Sequence, residues 1–126
     1  MLNRSVAGRA AADPTSNTDL GRAQVTYKVT SVECVPTADV TGAATNSLTL
    51  ELHNRGPDDS IDVTLATLAL LAGVNASRRF AKVIALVTTN GNPLVLEGDR
   101  LEWRSVKVGT GLADPGGLVV VNSTRL

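Results

Sequence analysis

Apolar and polar residues alternate along several short segments of the chain. Leu48, Leu50 and Leu52 are separated by polar residues, and Leu101 and Trp103 lie between charged ones. A period of two residues predicts strands that bury one face. Other apolar or alternating runs predict further strands at residues 25–30, 61–65, 81–88, 94–96 and 118–121.

Clusters of Gly, Pro, Asn and Asp separate these runs. They lie at residues 36–45, 54–60, 90–93, 97–99 and 109–117. In the cluster at residues 97–99, Gly98 can supply a positive φ, and the Asp99 side chain can hydrogen-bond to nearby backbone groups. About seven or eight short strands at this spacing predict an all-β domain over residues 23–126, a single β-sandwich of jelly-roll or immunoglobulin-like topology.

Two segments leave the strand pattern ambiguous. Residues 65–72 have helical as well as strand character, with Gly73 as a possible helix stop. The β-branched residues Ile61 and Val63 just before them favour a strand. After Ser105 the apolar positions shift by one residue, which predicts a bulge or a strand that changes environment.

Residues 1–22 contain almost no large apolar side chains, and Pro14 with the polar cluster after it opposes regular structure. We therefore expect an extended N-terminal arm. It is either a disordered terminus or a segment that becomes ordered against a neighbouring subunit.

Composition narrows the classes of partner. The 126 residues carry 12 basic and 12 acidic side chains, and the only basic group is Arg78, Arg79 and Lys82, so nucleic-acid binding is not expected. Aromatic residues make up 2%, which predicts an aliphatic core and stability gained from partner subunits. The longest apolar run, residues 65–74, is too short to span a bilayer, and the start of the chain lacks a signal-peptide pattern. We expect a soluble protein made in a cytoplasm, with no membrane partner.

The chain offers few residues for catalysis or metal binding. His53 is the only histidine and is expected on the polar side of its strand, and Cys34 is expected to be a small buried side chain. One Cys and one His do not make a zinc site. Asp58, Asp59 and Asp62 could approach calcium, but a solvated turn explains them as well. We expect no enzyme activity, no cofactor and no metal.

Two segments carry a resemblance to known proteins. The first is LTLELHNRGPDDSIDVTL at residues 48–65, which resembles immunoglobulin-like bacterial surface repeats and small β-domains of tailed-bacteriophage virions. The second is LEGDRLEW at residues 96–103 with VGTGLADPGGLVVV at residues 108–121, which resembles the ending of small phage capsid-decoration β-sandwich proteins. The absence of tandem copies and of a secretion signal favours the phage family.

The resemblance implies a capsid decoration, or cement, protein at the virion surface, made in the host cytoplasm. Its partners would be the major capsid protein lattice and copies of itself, with a homotrimer implied by the family alone. The arm is the expected contact, through Arg4, Arg9, Pro14, Leu20 and Arg22. The alternatives are a ligand- or carbohydrate-binding β-sandwich module and a tail-associated virion protein.

Overall fold

The computed structural model describes residues 2–11, 15–88 and 93–126. Its described residues form nine strands and no helix, so the expected all-β class is confirmed. The strands are β1 (Leu2–Val6), β2 (Ser16–Arg22), β3 (Tyr27–Pro36), β4 (Ser47–Asn54), β5 (Val63–Ala69), β6 (Lys82–Leu86), β7 (Leu94–Val95), β8 (Arg100–Val108) and β9 (Gly117–Arg125).

The strands make one sheet that is nearly closed into a barrel, and it is not clearly divided into the two sheets of a sandwich. The order is β1-β9-β3-β6-β5-β4-β8-β2, with β7 beside β3, and every pairing is antiparallel. The reason for the continuity is β6. Its residues 82–84 pair with β3 and its residues 85 and 86 pair with β5, so one strand joins both halves.

The core follows the alternation seen in the sequence. Trp103 lies on the inner face, opposite Leu52 on β4 and Thr18 on β2, and it is 2% exposed. Leu48, Leu50 and Leu101 are also buried, whereas Leu86 is half-buried. Residues 63–69 form β5, so the interpretation of residues 65–72 as strand rather than helix is confirmed for most of that segment.

The bulge predicted after Ser105 is wrong. Pairing of β4 with β8 runs unbroken from Ser47 and Val108 to Asn54 and Leu101. On the inner face of β8, Leu101 and Trp103 are followed by Ser105, which is 1% exposed, whereas Val106 and Val108 lie on the outer face. The apolar pattern therefore changes because a serine occupies a core position.

The first 22 residues are not separate from the sheet. β1 pairs with β9 and β2 pairs with β8, so the expected boundary between residues 22 and 23 is not a boundary of the barrel. Backbone pairing compensates for the scarcity of apolar side chains, and Val6 and Leu20 supply buried anchors. Pro14 and residues 90–92 of the predicted turn at residues 90–93 lie outside the described residues.

The connection between β1 and β2 is held away from a tight hairpin. Arg9 and Asp114 exchange both backbone hydrogen bonds, with N···O distances of 2.6 and 2.8 Å. Gly116 has φ +73°, and a Cβ at that position would lie 2.3 Å from the Val6 carbonyl oxygen. These contacts fix residues 7–11 against the loop that precedes β9.

Removal of the Ser105 hydroxyl should stabilise the protein. Ser105 Oγ is buried and has no hydrogen-bond partner among the described residues. An unsatisfied buried polar atom costs about 1–3 kcal/mol, so Ser105→Ala should raise the free energy of unfolding by about 1 kcal/mol after the loss of packing. Urea unfolding followed by the fluorescence of Trp103 measures this. A destabilised variant with an unchanged m-value would show that the hydroxyl has a partner.

Candidate binding sites at the two ends of the barrel

The sheet ends on two strands that do not pair with each other. β1 and β2 are its edges, and among the described residues no backbone hydrogen bond joins them. We call the gap between them the β1–β2 seam. The Arg4 side chain crosses it, and its Nε donates to the Leu20 carbonyl oxygen over 3.3 Å. On β2, Asp19 Oδ1 accepts a hydrogen bond from the Gly21 backbone N–H at the local bulge. A charged side chain on an edge strand and a bulge both protect that edge from unwanted pairing.

The seam opens at one end into a cavity of about 520 Å³, here called the mouth cavity. Its floor is apolar and comes from the barrel core: Leu20, Leu101 and Val121 are at most 2% exposed, and Leu2 packs on them. Its size falls in the range of small-molecule sites, which are often found at the mouths of β-barrels. The full lining is Leu2, Arg4, Leu20, Gly21, Arg22, Ala23, Gln24, Val25, Tyr27, Leu101, Val121, Ser123 and Arg125.

Three arginines and no carboxylate belong to this lining. Arg22 is held by the neighbouring loops, since its Nη1 donates to the carbonyl oxygens of Pro57 and Gly98. Arg4 uses only Nε, and within residues 2–11, 15–88 and 93–126 Arg125 makes no side-chain hydrogen bond or ion pair. Two guanidinium groups therefore keep free donors at the rim of an apolar cavity.

Tyr27 lines the mouth cavity together with its apolar floor and its arginines. Its phenol is half-buried and faces the end of β9, where it is registered opposite Arg125. Burial raises the pKa of Tyr27, and the charge of Asp99 raises it further. Asp99 does not line the cavity, and its Oδ2 accepts hydrogen bonds from Asn54 Nδ2 and the Leu96 backbone N–H, each 2.9 Å. The phenol thus stays a neutral donor at ordinary pH.

The opposite end of the barrel carries an open groove of about 460 Å³ beside Arg78 and Arg79. It is formed where β1 and β3 end and β9 begins, with Val6, Val35 and Leu118 in its walls. Phe80 follows Arg79 directly and is 72% exposed. We call this surface, made by Arg78, Arg79, Phe80 and the groove, the Phe80 end.

The turn before β6 holds these side chains outward. Arg79 has φ 65°, an unusual conformation for a residue with a side chain, and its N–H donates to the Pro36 carbonyl oxygen over 3.0 Å. The Arg78 N–H donates to Asp39 Oδ1 over 2.7 Å. Of the three aromatic residues, Trp103 is in the core and Tyr27 is half-buried, so Phe80 alone is left largely in solvent.

The structure brings together three of the five residues predicted to contact a partner. Arg4, Leu20 and Arg22 line the mouth cavity, while Arg9 lies away from it, on the bridge to Asp114. Pro14 lies outside the described residues. Their role in partner binding remains a prediction. Sequence reasoning missed Tyr27 and Arg125, because the β3–β9 pairing that brings them to the cavity joins opposite ends of the chain.

The expectation that His53 is a surface residue is wrong, since it is 5% exposed. The segment after β4 folds back over it and brings Asp62 Oδ1 to 2.7 Å from Nδ1, while Glu51 Oε1 lies 3.1 Å from Nε2. Each ring nitrogen therefore lies within hydrogen-bonding distance of one carboxylate. Both ring nitrogens are used in holding the outer face of β4, and among the described residues no hydroxyl or thiol is hydrogen-bonded to them.

The acidic turn is likewise occupied by cations of the chain itself. Asp62 pairs with Arg55 and Arg104, each over 3.0 Å, and Asp59 pairs with Arg100. Burial acts to raise the pKa of Asp62, but the hydrogen bonds from His53 and Arg104 outweigh it and hold this pKa below its usual 3.8. Among the described residues no group of three His, Cys, Asp or Glu side chains is placed to hold a metal ion.

Cys34 is buried, as expected, on the inner face of β3. Burial and then the negative charge of Asp114 raise the pKa of its thiol to about 12. The thiolate, which is the nucleophilic form, is therefore disfavoured at neutral pH.

Comparison of the chain with protein-family models, with curated proteins and with solved structures found no match. In the part of the chain that the structure describes, no helix is long and apolar enough to cross a membrane.

Replacement of Asp62 should change how the free energy of unfolding depends on pH. Because its pKa is lowered in the folded state, its contribution is present above pH 3.8 and is lost as pH falls through the lowered value. The side chain is 43% exposed, so solvent screening limits the effect to about 1 kcal/mol. We expect Asp62→Asn to be less stable than the unmodified chain at pH 6 and to approach it below pH 3.8.

Urea titrations at a series of pH values measure the difference between the two proteins. Glu97→Gln is the matched control, because Glu97 is an exposed carboxylate outside this network. A difference that stays constant from pH 6 to pH 2 would contradict the assignment.

Proposed function

We propose that this chain is a non-enzymatic structural protein of a tailed-bacteriophage virion that decorates the head, and that it docks on the capsid lattice through the Phe80 end. The observation that carries the docking site is an aromatic side chain left 72% exposed beside two arginines without ion-pair partners among the described residues. Aromatic residues and arginine are enriched among the side chains that dominate interface energies.

The chemistry of this end defines the surface that it fits. Arg78 and Arg79 favour a partner that presents carboxylates, and the groove walls from Val35 and Leu118 favour an apolar side chain next to them. In this proposal the nearly closed barrel is the rigid scaffold that supports the docking surface. It takes the place of the β-sandwich that the resemblance implies. The resemblance over residues 48–65, 96–103 and 108–121 supports the choice of a phage shell as the partner.

Binding to undecorated shells tests the docking site. The purified chain is mixed with shells assembled from the major capsid protein of the same virion, and bound protein is measured by co-sedimentation. We expect Phe80→Ser to weaken binding by at least about tenfold, the loss of one buried aromatic anchor. Leu126→Ser is the matched control, because Leu126 is 71% exposed but lies at the end of β9, far from the groove.

Equal binding by Phe80→Ser and the unmodified chain would overturn the docking site while leaving a decoration role open. No sedimentation with shells, together with binding to isolated tails, would favour the tail-associated alternative. Heating shells with and without bound protein then measures cementing, since a ligand of the assembled state stabilises it by mass action.

The proposed assembly is a homotrimer that associates through the outer face of β6. Val83 is 63% exposed there, and Ala85 beside it is also exposed, so the middle of the sheet presents an apolar outer surface. Such a surface is commonly covered in a closed oligomer.

Analytical ultracentrifugation should show trimers, and Val83→Lys should yield monomers because it places a charge in the interface. Glu33→Gln is the control. Glu33 is registered opposite Val83 on the neighbouring strand, so this variant changes the charge at the same place but leaves Val83 and Ala85 unchanged. A monomer in the unmodified protein at tens of micromolar would exclude the trimer.

A ligand-binding module is the second candidate, and the mouth cavity is the observation that favours it. A carbohydrate is a poor fit for that cavity, because Tyr27 is its only aromatic lining residue.

A further inference from the structure

We infer that the mouth cavity binds a small amphiphile with one carboxylate head and an unbranched apolar tail. This site lies at the end of the barrel opposite the Phe80 end and does not depend on the proposed docking. The cavity is lined at the start of β1 and β3 and at the end of β2 and β9, whereas the Phe80 groove lies where β1 and β3 end and β9 begins.

The floor specifies the tail. Leu20, Leu101 and Val121 turn buried aliphatic surface toward the cavity, and Leu2 and Val25 narrow its sides. Apart from Tyr27, no aromatic ring lines it, so a flexible aliphatic chain fits this floor better than a planar ring that requires stacking. The burial of each methylene group contributes about as much free energy as its transfer out of water. The affinity for the amphiphile should therefore rise with tail length until the cavity is full.

The rim specifies the head. Arg4 uses only Nε on the Leu20 carbonyl oxygen, which leaves both terminal nitrogens for a carboxylate. Arg125 keeps all its donors within the described part of the chain. Each arginine shares a strand face with an apolar lining residue, since Arg4 is two residues from Leu2 and Arg125 is four residues from Val121. A planar fork of N–H donors matches a carboxylate in bidentate geometry.

The surrounding charges leave these arginines uncompensated. Two carboxylates near this end are engaged elsewhere: Asp19 lies 3.5 Å from Arg100, and Asp99 accepts from Asn54 and the Leu96 N–H. The charge of Arg22 is partly offset by its coulombic interaction with Asp58, and Arg22 Nη1 donates to the loop carbonyls. A cleft lined by one sign of charge with apolar walls concentrates ligands of the opposite sign.

Isothermal titration calorimetry with decanoate, below its aggregation concentration, tests this site. We expect one decanoate per chain. Decanol lacks the charge and acetate lacks the tail, so each should bind at least about tenfold more weakly, as expected for the loss of a charge-assisted bond or of the buried chain. Chemical shifts should move for the amides of Gly21 and Val25 and not for that of Phe80.

Variants separate the head site from general attraction to a cation. Arg125→Gln should weaken decanoate binding about tenfold without change in thermal stability, because Arg125 holds no other part of the described structure. Arg4→Gln should also weaken it. Arg78→Gln is the matched control, since it removes an arginine without an ion-pair partner from the opposite end, and it should leave affinity unchanged.

Three results obtained with bound decanoate would overturn the inference. They are equal affinity for decanol and decanoate, unchanged affinity in Arg125→Gln, or amide shifts centred on the Phe80 end. Loss of shell binding in Phe80→Ser with decanoate affinity unchanged would show that the two sites are independent. Failure of decanoate to bind, with shell binding intact, would remove this site and leave the proposed function standing.

Discussion

The sheet stops one strand pair short of closure, and much of the molecule's surface chemistry depends on this gap. Eight antiparallel strands in a row bring β1 and β2 to the two sides of the β1–β2 seam, but residues between them are anchored to Asp114 instead of forming a tight hairpin. Unpaired strand edges attract other chains, and here Arg4 and the bulge near Gly21 obstruct them. The same gap leaves part of the core accessible and so forms the mouth cavity.

Arginine placement divides the surface into paired and unpaired regions, although the formal net charge is zero. Arg55, Arg100 and Arg104 neutralise the carboxylates around His53 and the turn that follows β4. Arginines without ion-pair partners among the described residues lie at both ends of the barrel. A chain with equal numbers of basic and acidic residues therefore produces two local regions of positive potential. Each proposed site uses one of them.

The residues of the sites differ in how far the sequence could identify them. Arg4, Leu20 and Arg22 are predicted partner contacts because they lie in one N-terminal segment. They line one cavity, and their contact with a partner stays a prediction. Arg125 and Tyr27 had no local signal, since an arginine near the end of a strand is usually a solvated side chain. His53 was wrongly predicted to be a surface residue. Strand alternation puts it on the outer face, and only the folded chain brings Asp62 over it.

The sequence by itself predicted the strands from β3 to β9, because the alternation of side chains along a strand is a local property that needs no partner. It did not predict β1 and β2, whose segment has few large apolar side chains. It also determined the Gly98–Asp99 turn, where φ is +92° and Asp99 accepts the Leu96 N–H as expected. Tertiary structure alone decided that β6 joins both halves into one barrel, that β1 and β2 remain unpaired edges, and that the mouth cavity forms between them. These features depend on pairings between residues as far apart as Leu2 and Val121, and the pattern within a strand does not encode which strand lies beside it.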